Sequence, residues 1–258
     1  MGNIMIDIER HGDCAVLKFN RPDALNALNA NGLSAFEEAL KELATSDARA
    51  LVLTGAGDRA YCAGADIKEL GPRTPGQVRA AARRGQAIGL QIENLPFPSI
   101  AVINGYALGG GLELSLACTF RLAARTAMMG FPEVKLGICT GWGGTQRLPR
   151  LIGPQDALDL LMSGRLIDGA EAEKIGLVHS AFDGDPIEAG LTFAANFTAN
   201  SLPAMRFVRE AVLRASDLVL EEGFRTEADL STLSYQLEDS AEGVAAFLEK
   251  REPAFKDR

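Results

Sequence analysis

Cysteine and histidine are scarce in this chain of 258 residues, which contains four cysteines and two histidines. The cysteines form no Cys-x-x-Cys pair and have no neighbouring pair of histidines: Cys14, Cys62, Cys118 and Cys139. This spacing argues against a zinc site, so we expect no metal. Small buried side chains in a reducing compartment are the simplest interpretation of the thiols, although the glycine-rich loop around Cys62 leaves an exposed thiol open.

Basic residues are outnumbered by acidic ones. The chain has 26 lysines and arginines against 34 aspartates and glutamates, and its formal net charge is -8. Proteins that bind nucleic acid or anionic membranes usually present a basic surface. The charge balance therefore argues against both kinds of partner, while local basic sites remain open.

Long uninterrupted apolar segments are also missing. The most apolar span, residues 100–118, approaches the length of a transmembrane helix but contains Asn104, Glu113 and a cluster of glycines. Such a composition is typical of a buried α/β core rather than of a membrane span. The first residues show no basic leader followed by an apolar segment. We therefore expect a soluble, cytoplasmic protein.

Two common catalytic signatures do not occur in the sequence. There is no Gly-x-Ser-x-Gly motif, and the histidines, His11 and His179, fall near a turn and in an expected strand, so serine hydrolysis is disfavoured. There is also no P-loop sequence for nucleotide hydrolysis. Other chemistry must be sought in the glycine-rich segments.

The hydrophobic spacing alternates between strand and helix periods up to about Gly153. Its expected elements are a hairpin of Ile4, Ile6 and Ile8 with residues 14–19, a helix through Leu33, Phe36, Leu40 and Leu43, strands at 50–54 and 99–103, and a helix at 78–94. This alternation predicts βαβ crossover units and a largely parallel sheet.

Helical segments follow one another after Gly153. The candidates are residues 157–162, 170–175, 187–200, 203–215 and 218–248. No Gly/Ser-rich or proline-rich linker separates them from the preceding part, so independent folding is disfavoured. We predict an α/β core at 1–195 and a C-terminal helical region at 196–258 that packs on the core and on neighbouring subunits, although intramolecular packing alone would give the same periodicity.

A glycine-rich turn at residues 104–114 is the strongest chemical signal. A buried strand leads into Gly109-Gly110-Gly111, Glu113 follows in the first turn of an apolar helix, and a second acid stands at Glu133. Glycine allows a ligand to approach the backbone, and the free N–H groups of a helix start attract negative charge. The segment predicts an oxyanion site with an acid beside it, although a purely architectural turn with a favourable early-helix acid explains the same residues.

A second loop, at residues 60–69, also follows a buried strand and consists largely of small residues. If the two loops face one pocket, two N–H donors would stabilise the negative oxygen of an enolate by about 3 kcal/mol each. The alternative is a surface turn in which Asp66 caps a helix.

Several ordered segments together resemble the enoyl-CoA hydratase/isomerase, or crotonase, superfamily, and most closely its short-chain enoyl-CoA hydratases. These segments are residues 20–28, 63–68, the glycine turn, 143–148 and the C-terminal stretch from Phe247. The resemblance covers nearly the whole chain. It implies an α/β fold with a crotonase-like ββα spiral core followed by a C-terminal helical region.

The resemblance also implies the site. The backbone N–H groups of Ala65 and Gly110 would form the oxyanion hole for a CoA thioester. The substrate-binding residues would be Ala65, Asp66, Ile67, Lys68 and Gly110, with Lys68 near the CoA phosphates. No metal or redox cofactor is implied, since coenzyme A belongs to the substrate, and a homotrimer or dimer of trimers is expected.

Glu113 and Glu133 match the two acids of family hydratases, which add water across the C2–C3 double bond of a 2-enoyl-CoA. Glu113 would take a proton from water as oxygen adds to C3, and Glu133 would deliver a proton to C2. A double-bond isomerase, a hydratase of branched or aromatic substrates, and a noncatalytic acyl-CoA-binding protein remain alternatives. Trp142 and Thr140 depart from the common family pattern, which leaves the acyl group open.

Overall fold

The computed structural model describes residues 5–69 and 71–258 of the chain. The chain forms two compact units, of which the first ends at Ala194 and the second spans Ala195–Arg258. Within the described residues, no helix is long and apolar enough to cross a membrane.

The strands of the first unit are short segments that alternate between two sheets. In chain order they are β1 (Ile6–His11), β2 (Cys14–Phe19), β3 (Ala50–Gly55), β4 (Ala60–Cys62), β5 (Ser99–Ile103), β6 (Tyr106–Leu108), β7 (Phe120–Ala124), β8 (Met128–Gly130), β9 (Leu166–Asp168) and β10 (Ser180–Phe182). Among the described residues, the larger sheet has the order β1-β2-β3-β5-β7-β10 and the smaller one β4-β6-β8-β9.

Each of three successive large-sheet strands is followed directly by a strand of the small sheet: β3 by β4, β5 by β6, and β7 by β8. The chain thus winds as a spiral whose turns add one strand to each sheet. The pairs β4–β6 and β6–β8 are parallel, and only β9 joins the small sheet antiparallel. Parallel strands end at the same edge of a sheet, so the segments that follow β4, β6 and β8 lie side by side.

Helices connect the strands of the first unit and continue into the second. They are α1 (Ala30–Ala44), α2 (Pro75–Glu93), α3 (Gly110–Leu116), α4 (Gly144–Ile152), α5 (Pro154–Ser163), α6 (Gly169–Lys174), α7 (Pro186–Thr198), α8 (Leu202–Arg214), α9 (Leu220–Ser234) and α10 (Glu238–Glu249). Thr74 starts α2 with a capping box to Gln77, and Pro75 fits the first helical position because that residue needs no N–H partner.

The core lies on the central strands of the large sheet. Every residue of β3 and β5 is buried, which agrees with their continuous apolar sequences. A cluster on one side of this sheet joins Val16, Val52, Ile100, Val102 and further small side chains. Phe19 packs against Phe36 and Tyr61 with ring centroids 5.0 and 5.4 Å apart. The central strands of the large sheet are therefore part of the core. The loops that follow the strands of the small sheet are described below as the candidate site.

The predicted hairpin and the largely parallel sheet are confirmed, because β1 and β2 are antiparallel while the remaining neighbours of the large sheet are parallel. Ile4, which the prediction included, lies outside the described residues. The prediction of one helical segment at 218–248 is wrong, since α9 ends at Ser234 and α10 begins at Glu238. Glu238 and Asp239 favour a new helix N-terminus at that point.

The expectation of buried cysteines is confirmed for Cys14, Cys62 and Cys118, whereas Cys139 is exposed. His179 lies immediately before β10 rather than in a strand. The helix α4 was not predicted, because Pro149 interrupts its sequence pattern although the structure holds it inside the helix.

Candidate active site

The loop after β4 and the glycine turn after β6 meet at the edge of the small sheet. Gly64 has a φ of +87°, and a β-carbon at this position would lie 2.7 Å from the Leu108 carbonyl oxygen and 3.0 Å from the Gly110 nitrogen. Glycine is therefore required both for the backbone conformation and for the close approach of the two loops. The loop after β4 and the glycine turn after β6 therefore lie against each other.

The backbone N–H groups of Ala65 and Gly110 are available at this junction. Ala65 forms a parallel bridge with Leu28, in which the Leu28 N–H donates to Gly64 and the Asp66 N–H donates to Leu28. Gly110 is the first residue of α3, where an N–H has no partner within the helix. In the part of the chain that the structure describes, neither N–H donates a backbone hydrogen bond.

Glu113 is buried one turn into α3, with 2% of its surface exposed. Its Oε1 accepts hydrogen bonds from the backbone N–H groups of Trp142, at 2.6 Å, and Gly144, at 2.7 Å. Burial and, to a smaller extent, the nearby Glu133 raise the pKa of Glu113 to about 7 against the opposing effect of the backbone N–H donors. Glu113 is thus held in one orientation and changes its protonation state near neutral pH.

Glu133 lies in a short 3-10 helix, Pro132–Leu136, that follows β8. A β-carbon at Gly109 would lie 2.6 Å from its Oε1, so the carboxyl group packs against the glycine turn. Its Oε2 is buried and has no hydrogen-bond partner among the described residues. Burial raises the pKa of Glu133, and the Thr140 hydroxyl opposes the shift. A buried, unpaired carboxyl oxygen of this kind is suited to a ligand or to a bound proton.

The structure therefore brings together Ala65, Gly110, Glu113 and Glu133, all predicted from the sequence. The loops that carry them follow β4, β6 and β8, one loop from each turn of the spiral. Two carboxyl groups with raised pKa values beside two N–H donors can move protons at carbon while negative charge develops on a carbonyl oxygen.

The other predicted binding residues lie in the same loop as Ala65. The Asp66 carboxylate accepts hydrogen bonds from Arg21 Nη1, at 2.6 Å, and from the Lys68 N–H, at 3.0 Å, and these contacts lower its pKa. Asp66 thus fixes the shape of the loop. Ile67 is 70% exposed and Lys68 is also exposed, so both are open to solvent in the isolated chain.

Sequence reasoning missed the groups that hold Glu113. Trp142 and Gly144 provide their backbone N–H groups, and side chains at these positions give no sign of that role. A β-carbon at Gly144 would lie 3.2 Å from Glu113 Oε1, so the glycine allows the carboxylate to come close. The glycine pair at 143–144, already noted within the family-like segments, was the available signal.

Potential metal ligands do not cluster at the site. Within residues 5–69 and 71–258, no group of three or more histidine, cysteine, aspartate or glutamate side chains could hold a metal ion. The expectation that the chain works without a metal or redox cofactor stays a prediction.

Comparison with known protein families identifies the chain's relatives. The model of the enoyl-CoA hydratase/isomerase family matches residues 9–258. The chain belongs to this family. The predicted family is thereby confirmed, and its match extends over both compact units.

Individual members of the enoyl-CoA hydratase/isomerase family are similar over almost their full length. A probable enoyl-CoA hydratase of Rhizobium meliloti is 39% identical over 254 residues, and a crotonyl-CoA hydratase of Syntrophomonas wolfei is 38% identical over 252 residues, each with 97% of both chains covered. The crystal structure of an enoyl-CoA hydratase from Bacillus anthracis superposes with a TM-score of 0.94 at 37% identity, covering 98% of this chain and 100% of the other. The predicted α/β crotonase-like fold is confirmed by this likeness.

Proposed function

We propose that the protein is an enoyl-CoA hydratase that adds water reversibly and syn across the C2–C3 double bond of a 2-enoyl-CoA to give a 3-hydroxyacyl-CoA. The observation that carries the proposal is the placement of the buried acid Glu113 and the half-buried acid Glu133 near Ala65 and Gly110, whose N–H groups donate no backbone hydrogen bond among the described residues. The relatives named as enoyl-CoA and crotonyl-CoA hydratases support the same reaction.

The thioester carbonyl would bind at the junction of the two loops. Its oxygen would accept hydrogen bonds from the N–H groups of Ala65 and Gly110, which polarise the conjugated double bond and make C3 electrophilic. When water adds to C3, negative charge moves onto this oxygen, and the two donors stabilise the resulting enolate. Each well-placed donor of this kind contributes about 3 kcal/mol to the barrier reduction.

The two acids would divide the proton transfers. Glu113 Oε1 is occupied by two N–H donors, at 2.6 and 2.7 Å, which favour the carboxylate form and leave Oε2 to orient a water molecule and to accept its proton. Glu133 has a buried Oε2 without a partner, which suits the protonated form that delivers a proton to C2.

The products balance when the proton gained by Glu113 and the proton lost by Glu133 are exchanged before the next turnover. The oxygen of water ends on C3, one proton ends on C2, and the enzyme is regenerated by a net transfer of one proton between the acids or with solvent. The reverse sequence removes water from a 3-hydroxyacyl-CoA.

The fixed position of Glu113 favours hydration over the isomerase alternative. An isomerase moves a proton between two carbons and needs mainly one acid, at the position of Glu133. Here a second acid is buried, anchored by two short hydrogen bonds and given a pKa of about 7. Burying an ionisable group costs stability, and a role in catalysis accounts for its presence at this position.

Further proposals concern the surroundings of the reaction. Exposed Lys68, which follows the oxyanion loop, would contact the CoA phosphates. The chain would act without a cofactor in the cytoplasm as a homotrimer or dimer of trimers. Residues 196–258 would form the helical region that packs on the core and on neighbouring subunits.

The test is hydration of crotonyl-CoA by the purified protein. Loss of the conjugated enoyl-thioester absorbance is followed in time, and the 3-hydroxyacyl product is identified by mass. We expect turnover by the natural chain and a loss of about 10²–10⁴-fold in Glu113→Gln and in Glu133→Gln. Glu173→Gln is the matched control, since Glu173 is an exposed acid on α6.

Each outcome has a clear meaning. Hydration that persists unchanged in both variants would remove the two acids from the mechanism. A folded natural chain that moves the double bond without adding water would establish an isomerase, and one that binds CoA thioesters with no turnover would establish a binding protein.

A further inference from the structure

Trp142, the only tryptophan in the chain, packs between two glycines on different elements. A β-carbon at Gly110 would lie 2.6 Å from the indole Cε3 and 2.7 Å from Cζ3. A β-carbon at Gly85, in the middle of α2, would overlap the indole Cγ. The half-buried indole therefore occupies space that exists only because both of these residues lack a side chain.

The main chain of the same residue holds the buried acid. The Trp142 N–H donates to Glu113 Oε1 at 2.6 Å, and the neighbouring Gly141 carbonyl accepts a hydrogen bond from Gln86 Nε2 on α2 at 3.0 Å. Arg147 adds a second tie to α2, because its Nε donates to Glu93 Oε1 at 2.5 Å and its Nη1 donates to the Trp142 carbonyl at 3.3 Å. The loop around Trp142 is thus attached to α2 on both sides of the indole.

We infer that Trp142 is a positioning residue: its indole, wedged between α2 and Gly110, holds the Trp142 N–H in place and thereby fixes the Glu113 carboxylate relative to the Gly110 N–H. This inference rests on the proposed function, in which both groups act on one thioester. A rigid aromatic side chain is suited to this task because it has few rotamers and a large contact area. Misplacement of reacting groups by about 1 Å lowers rates by as much as about 10²-fold.

The first measurement compares kcat and KM for crotonyl-CoA in the natural chain, Trp142→Ala and Trp142→Phe. We expect kcat to fall by about 10–100-fold in the alanine variant with little change in KM. The thioester should still bind, but the Glu113 carboxylate would no longer be held at the right distance from the Gly110 N–H. Phenylalanine keeps a flat ring between the glycines and should recover most of the rate. An unchanged kcat in Trp142→Ala would overturn the inference.

The second measurement tests the contact between the indole and Gly85 on α2. Gly85→Ala places a methyl group where the indole lies, so it should displace the ring and lower kcat. In the Trp142→Ala background the same change meets no indole and should have no further effect, which gives a large coupling in the double-mutant cycle. Gly76→Ala is the matched control, because it adds a methyl group to the same helix with nothing within 4 Å. Equal losses from Gly85→Ala in both backgrounds would contradict the inference.

The third measurement does not depend on turnover. Because Trp142 is the only tryptophan and contacts Gly110, its fluorescence should change when butyryl-CoA, which has no double bond to hydrate, occupies the site. Binding is measured independently by calorimetry. Bound butyryl-CoA without a change in emission would overturn the placement of the indole, whereas a natural chain that binds but does not hydrate crotonyl-CoA would overturn the proposed function instead.

Discussion

The two sheets of the first unit end their strands in different ways. At the ends of β3 and β5 in the large sheet, Asn104 closes the turn: its Nδ2 donates to the carbonyls of Gly55, at 3.0 Å, and Gly57, at 2.8 Å, and its Oδ1 accepts from the Gly55 N–H at 3.2 Å. At the ends of β4 and β6 in the small sheet, the N–H groups of Ala65 and Gly110 have no such partner among residues 5–69 and 71–258.

This difference separates an architectural turn from a reactive one. Both kinds of turn contain glycine, and both follow a strand of a mainly parallel sheet, so composition does not distinguish them. Their hydrogen bonds do, because nearly all backbone groups away from water are paired in folded proteins. In the proposed function, the carbonyl oxygen of the substrate supplies the acceptor that these two N–H groups lack within the described part of the chain.

Among substitutions in the two kinds of turn, the largest expected effect comes from Gly64→Ala, which would narrow the space at the N–H groups of Ala65 and Gly110. Its β-carbon would lie 3.0 Å from the Gly110 nitrogen, in the space next to the proposed thioester oxygen. We expect a loss of about 10²–10³-fold in kcat/KM for crotonyl-CoA, as for removal of one oxyanion donor.

Gly57→Ala is the control for backbone strain. Gly57 also has a positive φ, +78°, but a β-carbon there would meet only Pro22, at 3.5 Å. This variant should lose about 1 kcal/mol of stability and keep its activity per folded molecule. Equal losses of activity in both variants would show that strain, not the oxyanion geometry, limits the reaction.

A somewhat smaller effect, in stability, is expected for Glu113→Gln. The pKa of Glu113 is raised from 4.5 to about 7, so the folded state holds the proton over this interval while the unfolded chain releases it. The natural chain must therefore lose stability as the pH rises from about 4.5 to about 7, by about 3 kcal/mol at about 1.4 kcal/mol per unit.

Glutamine does not titrate, and its side-chain oxygen can accept the same two N–H bonds. As the pH rises through that interval, the free energy of unfolding of Glu113→Gln should therefore increase by about 3 kcal/mol relative to that of the natural chain. The variant nevertheless loses activity. Denaturant unfolding at several pH values measures the difference, with Glu173→Gln, at an exposed position on α6, as the matched control. A difference between the two chains that does not depend on pH would contradict the raised pKa.

An effect on stability that is smaller than the one at Glu113 is expected at Asn104, in the architectural turn. Asn104→Ala removes the amide that ties Gly55 and Gly57, so the protein should lose about 2 kcal/mol of stability through unsatisfied backbone groups. Activity per folded molecule should remain, because Asn104 contacts none of the reacting groups proposed here. A large loss of kcat without a loss of stability would remove the distinction between the two kinds of turn.

Much of the site could be predicted because its signals are local in sequence. The strand, the glycine run and Glu113 stand within one short segment, which made an oxyanion turn with an acid one of two open interpretations. Likewise, the alternating periods predicted the parallel sheet. The family resemblance then gave roles to Glu133, already noted as a second acid, and to Ala65, because those roles depend on distant parts of the chain.

The remainder could not be predicted because it depends on contacts between distant residues. Nothing local to Gly85 indicates that an indole from Trp142 lies against it, and nothing local to Gly144 indicates that its N–H holds Glu113. Helix α4 escaped notice because tertiary contacts outweigh the unfavourable Pro149. The break between α9 and α10 was missed since apolar periodicity continues across it.

The spiral has a consequence for how such a site can change. Two of its four groups are main-chain amides, which no substitution except proline deletes, whereas both acids are side chains carried by separate turns of the spiral. In the proposed mechanism, stabilisation of the enolate therefore depends on the backbone of the fold, whereas proton transfer depends on two side chains that substitution can change. Replacing the segment after β8 would then alter where protons are delivered while the two N–H donors stay in place, so a new reaction on this scaffold would need a change in one loop only.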